Sequence, residues 1–321
     1  MDDGDADYME SLVQKICLMI VPRSAAPSSD GGAASGAAAA AVYEASILEN
    51  QMTMEMDISQ RPSPDYLSAV QRNKINPAMR ASVVVWMDEM SRGYKLADGT
   101  LHRAVCYIDR YLSSKPLEEV SPRQLGLLAA TAVFLAAKYE NDFTAWKLDA
   151  RVIAREIGSG LYTPSEVLKT ERDLLAALDY KLGHPTALTF VDHYLARNDA
   201  YYGNLDGSPT ASLARHLADL TLLDYRSLRH PPSAVAASAV HLARCATIEN
   251  GRPPPAGNPP SYAGLEEVTL YRFADLAGCI EEMYDIHESQ CWPGYGKMKA
   301  RYGINYSLPA RRCVLPLNSS S

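Results

Sequence analysis

The sequence predicts an all-α fold built from two related helical units in tandem. Three observations carry this. Apolar residues recur at spacings of three, four and seven from Val42 to about His287, and no stretch alternates as a strand does. Several of these segments open with an N-cap residue followed by proline, whose missing N–H costs nothing in the first turn. Finally, the stretch from Leu128 to Ala136 lies without gaps over Val235 to Ala243: Ala falls on Ala, Thr131 on Ser238, Val133 on Val240 and Leu135 on Leu242. One helical unit is used twice.

Taken in order, residues 22–41 (PRSAAPSSDGGAASGAAAAA) are of low complexity and read as a flexible linker, because they cannot bury enough apolar surface to offset ordering entropy. INPAMRASVVVWMDEMSRGYKL starts with Asn76 as N-cap and Pro77 at N1, and Met79, Val83, Trp86, Met87, Met90 and Tyr94 mark one face. TLHRAVCYIDRYLSS is amphipathic through Leu101, Val105, Ile108 and Leu112. SPRQLGLLAATAVFLAAKY opens on a capping box, Ser121 with Gln124, and is apolar nearly all round, as a central buried helix should be. WKLDARVIAREIG ends in Gly158, a C-cap residue. TPSEVLKTERDLLAALDYKL opens on a second capping box, Thr163 with Glu166, and carries an apolar stripe of Val167, Leu168, Leu174, Leu175 and Leu178. The expected division is a disordered tail (1–41), a helical entry segment (42–75), a first five-helix unit (76–184), a second unit (185–308) with a proline-rich loop at Gly251–Pro260, and a flexible tail (309–321).

The formal net charge of −7 argues against a nucleic-acid surface, since only short basic groups interrupt it. The six cysteines form no CxxC pair and read as reduced thiols of a nuclear and cytoplasmic protein. LVQKICLMIV lacks the basic start of a signal peptide, and Leu125 to Ala137 is too short to span a bilayer. There is no HExxH and no His/Cys cluster with zinc spacing; no strand precedes the GSG or the GYGKMKARYG stretch. The expectation is therefore a non-enzymatic protein with no cofactor, no metal and no membrane or nucleic-acid partner.

Two charges stand out. Glu171 interrupts its helix's apolar stripe, four residues after Val167 and four before Leu175. Lys138 ends the central helix, and the repeat places Cys245 opposite it: the packing pattern is repeated and the charge is not. A plain structural reading also fits each residue. Lys138 suits a helix C-terminus through the macrodipole, and Glu171 could pair with Lys138, Arg172 or another neighbour.

The order and identity of MRASVVVWMDEM, TLHRAVCYIDRYLSS, LLAATAVFLAAKYE and EVLKTERDLLAALDYKLGHPT, preceded by PDYLSAVQRNKINPAMR, resemble the cyclin family, specifically the A- and B-type mitotic cyclins. The low-complexity N-terminus and divergent C-terminal half are similar to the F-type plant cyclins. The resemblance covers roughly Tyr43 to Leu308 and implies two tandem five-helix cyclin folds. It implies a regulatory subunit that activates a cyclin-dependent kinase in cell-cycle control by repositioning the kinase helix C. It also implies roles for particular residues. Arg80 and Asp109 would form a buried ion pair, with Leu127 a further marker position. Lys138 and Glu171 would bind kinase backbone groups, with Tyr139 and Phe143 packing on the same kinase helix. Met79, Val83, Trp86, Glu89 and Leu125 would form a substrate-docking patch.

Several positions depart from the pattern. Val85 stands where the mitotic pattern has aspartate, Ser82 replaces a large apolar residue, and Gly126 replaces a glutamine whose amide would hold a docked peptide. The paired prolines after the lysine are missing, and the Arg-x-x-Leu at Arg172 to Leu175 lies within a helix rather than a destruction box. Trp86 also fits a core role. Two other readings stay open: a cyclin-fold transcription adaptor, and a degenerate cyclin that binds without activating.

Overall fold

The computed structural model describes residues 33–140, 148–157, 160–202, 209–249 and 265–289, together with residues 295, 296, 298 and 308. Gly158, the proline-rich stretch 251–260 and the tail 309–321 lie outside the described residues. Among those described, helices and short turns account for all regular structure, and no helix is long and apolar enough to cross a membrane.

The first helix, α1 (Ala33–Glu55), corrects one expectation. It begins inside the stretch read as flexible linker, at a run that includes Ala37 to Ala41; alanine has the highest intrinsic helix propensity, which the composition argument overlooked. A short helix, α2 (Tyr66–Ala69), leads into the first unit: α3 (Pro77–Gly93), α4 (Gly99–Ser114), α5 (Pro122–Tyr139), α6 (Ala150–Val152, continued as a π-helical turn through Ile157) and α7 (Pro164–Ala177). The second unit follows as α8 (Ala187–Tyr202), α9 (Pro209–Thr221), α10 (Pro232–Glu249), α11 (Leu265–Thr269) and α12 (Phe273–Ser289).

Local chemistry fixes the helix starts. Asn76 Oδ1 accepts from Met79 N at 2.9 Å, and the Thr163 box is complete, with Glu166 Oε2 accepting from Thr163 N at 2.8 Å. The Ser121 box is only half formed. Ser121 Oγ accepts from Gln124 N, but the buried Gln124 Oε1 has no partner.

Each unit wraps its helices around one apolar helix, α5 in the first and α10 in the second. The repeated stretches occupy those two places: Leu128–Ala136 and Val235–Ala243 are buried throughout. Their alanines let neighbouring helices approach closely, and dispersion over many such contacts holds the packing.

The face of α3 differs from the expected one. Its buried residues are Arg80, Ala81, Val84, Val85, Met87, Asp88, Met90 and Ser91, while Met79, Val83, Trp86 and Tyr94 are half-buried at its border. A hydrophobic count misplaces this face because two of its members are charged. Arg80 binds Asp109 through Nε–Oδ1 (2.8 Å) and Nη2–Oδ2 (2.7 Å), and its Nη1 donates to Leu222 O in the second unit.

Three further contacts join the units. His102 Nε2 meets Asp219 Oδ1 at 2.9 Å, and Leu67 N donates to Tyr225 Oη. The third involves α1, whose Leu48 and Met52 enter the core of the second unit, not the first. At its end the buried Glu55 accepts from Ser233 N and Ser233 Oγ, satisfying an orphan donor in the first turn of α10. Burial raises the Glu55 pKa to about 7, with Ser233 pulling the other way.

Candidate functional site

The C-terminal end of α5 and one side of α7 emerge together at the surface. Lys138 sits in the last turn of α5 because that helix, apolar through Ala137, reaches solvent there. Its Nζ lies 4.1 Å from the centroid of Phe134, one turn back, a cation–π contact. Glu171 comes from α7 and bonds Lys138 directly through Oε1. The two side chains differ in exposure, 43% for Lys138 and 11% for Glu171. The pair therefore shows water its cation and shelters its carboxylate.

That pairing is one of the structural alternatives for Glu171, yet it leaves capacity over. Lys138 retains two N–H donors, and Glu171 Oε2 accepts no bond among the described residues. An outside peptide backbone would find both a donor and an acceptor here.

The surroundings are apolar. Tyr139 is exposed beside Lys138, with the Arg103 guanidinium stacked 4.3 Å from its ring centroid. Leu168 lies one turn before Glu171 and is 46% exposed. This corrects the expected stripe: Val167, Leu174 and Leu178 are buried, Leu175 is half-buried, and Leu168 points outward. The reason is angular. Five apolar positions on a helix spread over more than the face that one neighbour can cover. Phe143 lies outside the described residues.

The residues expected as a docking patch do not form one exposed apolar surface. Leu125 is buried, and it lines a void of about 20 Å³ inside the first unit together with Val83. Met79, Trp86 and Glu89 are half-buried, and exposed Ser82 donates to Ala78 O. At Gly126 the missing side chain has a use: a Cβ there would come within 2.6 Å of Tyr162 Oη. The loop before α7 lays Tyr162 into that space, under the Arg123 guanidinium at 5.5 Å.

With this geometry in place, the comparisons with known proteins decide the family. A family model described as Cyclin, N-terminal domain matches residues 46–183, and one described as Cyclin, C-terminal domain matches 185–301. Cyclin-A3-3 of Arabidopsis thaliana is 36% identical over 251 residues, covering 78% of this chain and 71% of that protein. The chain belongs to the cyclin family.

Similarity is higher to Cyclin-F2-2 of Oryza sativa subsp. japonica, 44% over 257 residues, covering 79% of this cyclin and 54% of that protein. The chain spans between 54% and 65% of the length of the four rice F-type relatives. Two solved structures share the fold. A viral cyclin from herpesvirus saimiri matches with a TM-score of 0.57 at 17% identity, over 75% of this chain and 96% of that one. A chain of the yeast RNA Pol II CTD kinase CTDK-1 complex matches at 0.50 and 14%, over 78% and 86%.

Sequence reasoning passed over Arg103 and Tyr162. Arg103 donates to Glu140 Oε1 and to Leu182 O, tying the end of α5 to the chain after α7. Gly126 inside an apolar helix was the available signal for Tyr162, since such a glycine often marks close approach of another group.

Proposed function

We propose that this cyclin is the regulatory subunit of a cyclin-dependent serine/threonine kinase, which it binds and activates in cell-cycle control rather than acting as an enzyme itself. The observation that carries the reading is the Lys138–Glu171 pair, surfacing between exposed Tyr139 and Leu168 with donors and an acceptor oxygen that are unused among the described residues. Partner backbone N–H groups bond Glu171 Oε2, partner carbonyls bond Lys138, and the apolar neighbours cover a helix of the kinase. A cation and a carboxylate already side by side need little ordering on docking, which lowers the entropy cost of association. Activation is then a population shift. The cyclin binds the kinase state whose helix C is aligned better than the misaligned one, and the difference in those affinities sets the shift. A match to a chain from a kinase complex agrees with this partner class. The nucleus and cytoplasm are the compartments where such a kinase would be met.

The test is reconstitution with a panel of cyclin-dependent kinases, reading co-elution and histone phosphorylation. Glu171→Ala should lower binding at least tenfold while helical content and Tm stay nearly unchanged. No binding to any kinase by the folded protein would sink the reading and turn attention to a salt-dependent DNA shift, the mark of an adaptor.

A further inference from the structure

The seam between the two units holds a site that kinase contact does not use. Two cavities adjoin there and share Arg61, Pro62 and Leu228. The larger one, about 540 Å³, is lined by Arg61, Arg110 and Arg229, the last of them paired with Glu282, and by no acidic residue. The smaller one, about 100 Å³, is lined by His184 together with His102 and the paired Arg80 and Asp109. His184 is 3% exposed, and its buried Nδ1 has no hydrogen-bond partner. Leaving such an atom unsatisfied is unfavourable, and an occupant of the cavity that bonds it removes that cost.

The charges say what kind of occupant fits. Arg61 is half-buried, and its side chain makes no hydrogen bond or ion pair among the described residues. Arg110 is buried and donates to the carbonyls Lys181 O and Leu178 O, with no carboxylate bonded to it among the described residues. The nearby carboxylates already have partners: Asp57 holds Ser59 and Gln60, Asp109, which itself lines the smaller cavity, holds Arg80 and Tyr66, Glu55 holds Ser233, and Glu282 pairs with His230 and with Arg229. The field at His184 is accordingly positive. Burial first, then Arg110 and Arg61, with Arg103 behind them, hold its pKa down to about 4, and Asp57 opposes them. Arginine forks of this kind match phosphate oxygens two at a time.

We propose that this seam binds a phosphate monoester, carried as phosphoserine or phosphothreonine on a protein partner, with Arg61 as its bidentate contact and His184 as the buried hydrogen-bonding group behind it. The choice of a phosphoprotein rests on the kinase reading, because a bound serine/threonine kinase makes these groups. The overall charge of −7 disfavours a nucleic-acid backbone as their source.

The experiment uses the full chain without any kinase. Fluorescence anisotropy reads binding of a phosphoserine peptide pool with random flanks, and of the same pool unphosphorylated, at fixed ionic strength. The expected result is at least tenfold tighter binding of the phosphorylated pool, with competition by inorganic phosphate. Arg61→Gln should abolish the preference with Tm nearly unchanged, since that side chain makes no hydrogen bond or ion pair among the described residues, and His184→Gln should weaken it several-fold. Equal binding of the two pools overturns the proposal, as does a preference that survives Arg61→Gln. So does inorganic phosphate binding without peptide discrimination (an adventitious ion only), or equal competition by an oligonucleotide. Kinase co-elution of Arg61→Gln keeps the two readings apart: retained co-elution with lost phosphopeptide binding supports a separate site. A chain that takes the phosphopeptide but no kinase keeps this site and removes the kinase reading.

Discussion

The helices α5 and α10 share an interior and differ at their ends. Both are buried over the nine repeated residues, with a hydroxyl at the same register, Thr131 and Ser238. Past that stretch α5 carries Lys138 into contact with Glu171, whereas α10 has Cys245 with His241 Nε2 3.6 Å from its sulfur. The interior is what the fold requires, so it recurs. The ion pair is absent from a unit that folds the same way, so the fold does not require it, and its place at a surface flanked by exposed apolar groups fits recognition.

The largest effect should come from a charge that the fold does require. Asp109→Ala strands Arg80 in the core and should cost about 3–5 kcal/mol in urea denaturation. A small loss would mean that Leu222 O and water suffice for Arg80, and would erase the contrast with Lys138–Glu171.

Next comes the shared interior. Ala132→Leu and Ala239→Leu occupy equivalent, fully buried positions, and each should cost about 1–3 kcal/mol by overpacking. If one copy tolerates leucine, the two units pack less alike than their register implies.

The seam gives a pH test with two opposite signs. Glu55 holds its proton to about pH 7 when folded against a usual 4.5, so its contribution is full below about 4.5 and is lost as pH rises to 7. His184 titrates near 4 when folded against 6.5, so its contribution is full above 6.5 and is lost as pH falls towards 4. Between pH 4.5 and 6.5 the two oppose each other. The Tm of wild type minus that of Glu55→Gln should fall as pH rises through this window, and the same difference for His184→Gln should rise. Parallel curves for either variant would remove that residue from the balance.

The smallest stability effects belong to the helix ends. Lys138→Ala should change stability by less than about 1 kcal/mol, as exposed pairs do, while losing kinase binding. Cys245→Lys should be tolerated and should add no kinase affinity, because the carboxylate that completes the pair, Glu171, belongs to the first unit. A stable gain of binding would show that the lysine alone is enough.

Much of this was legible from the chain itself. Helical periodicity, the Asn76 and Thr163 caps and the repeat are local or near-local signals, and local backbone hydrogen bonds and side-chain period determine them. The same signals carried Lys138 and Glu171 to notice as charges that the pattern did not need. What sequence could not supply depends on groups far apart in the chain. Nothing before Glu55 announces that it will cap α10, 178 residues later. The burial of Arg80 follows from Asp109, Tyr66 and Leu222 converging on it, and a hydropathy count scores arginine as exposed. Leu168 reads as core by spacing and becomes surface because none of the described helices covers that side of α7. Likewise Arg61 and His184, far apart in the chain, line one cavity only in the folded protein. Hydrophobic period is written along one helix, whereas desolvation, pairing and exposure are properties of the space between helices, and only the assembled structure decides them.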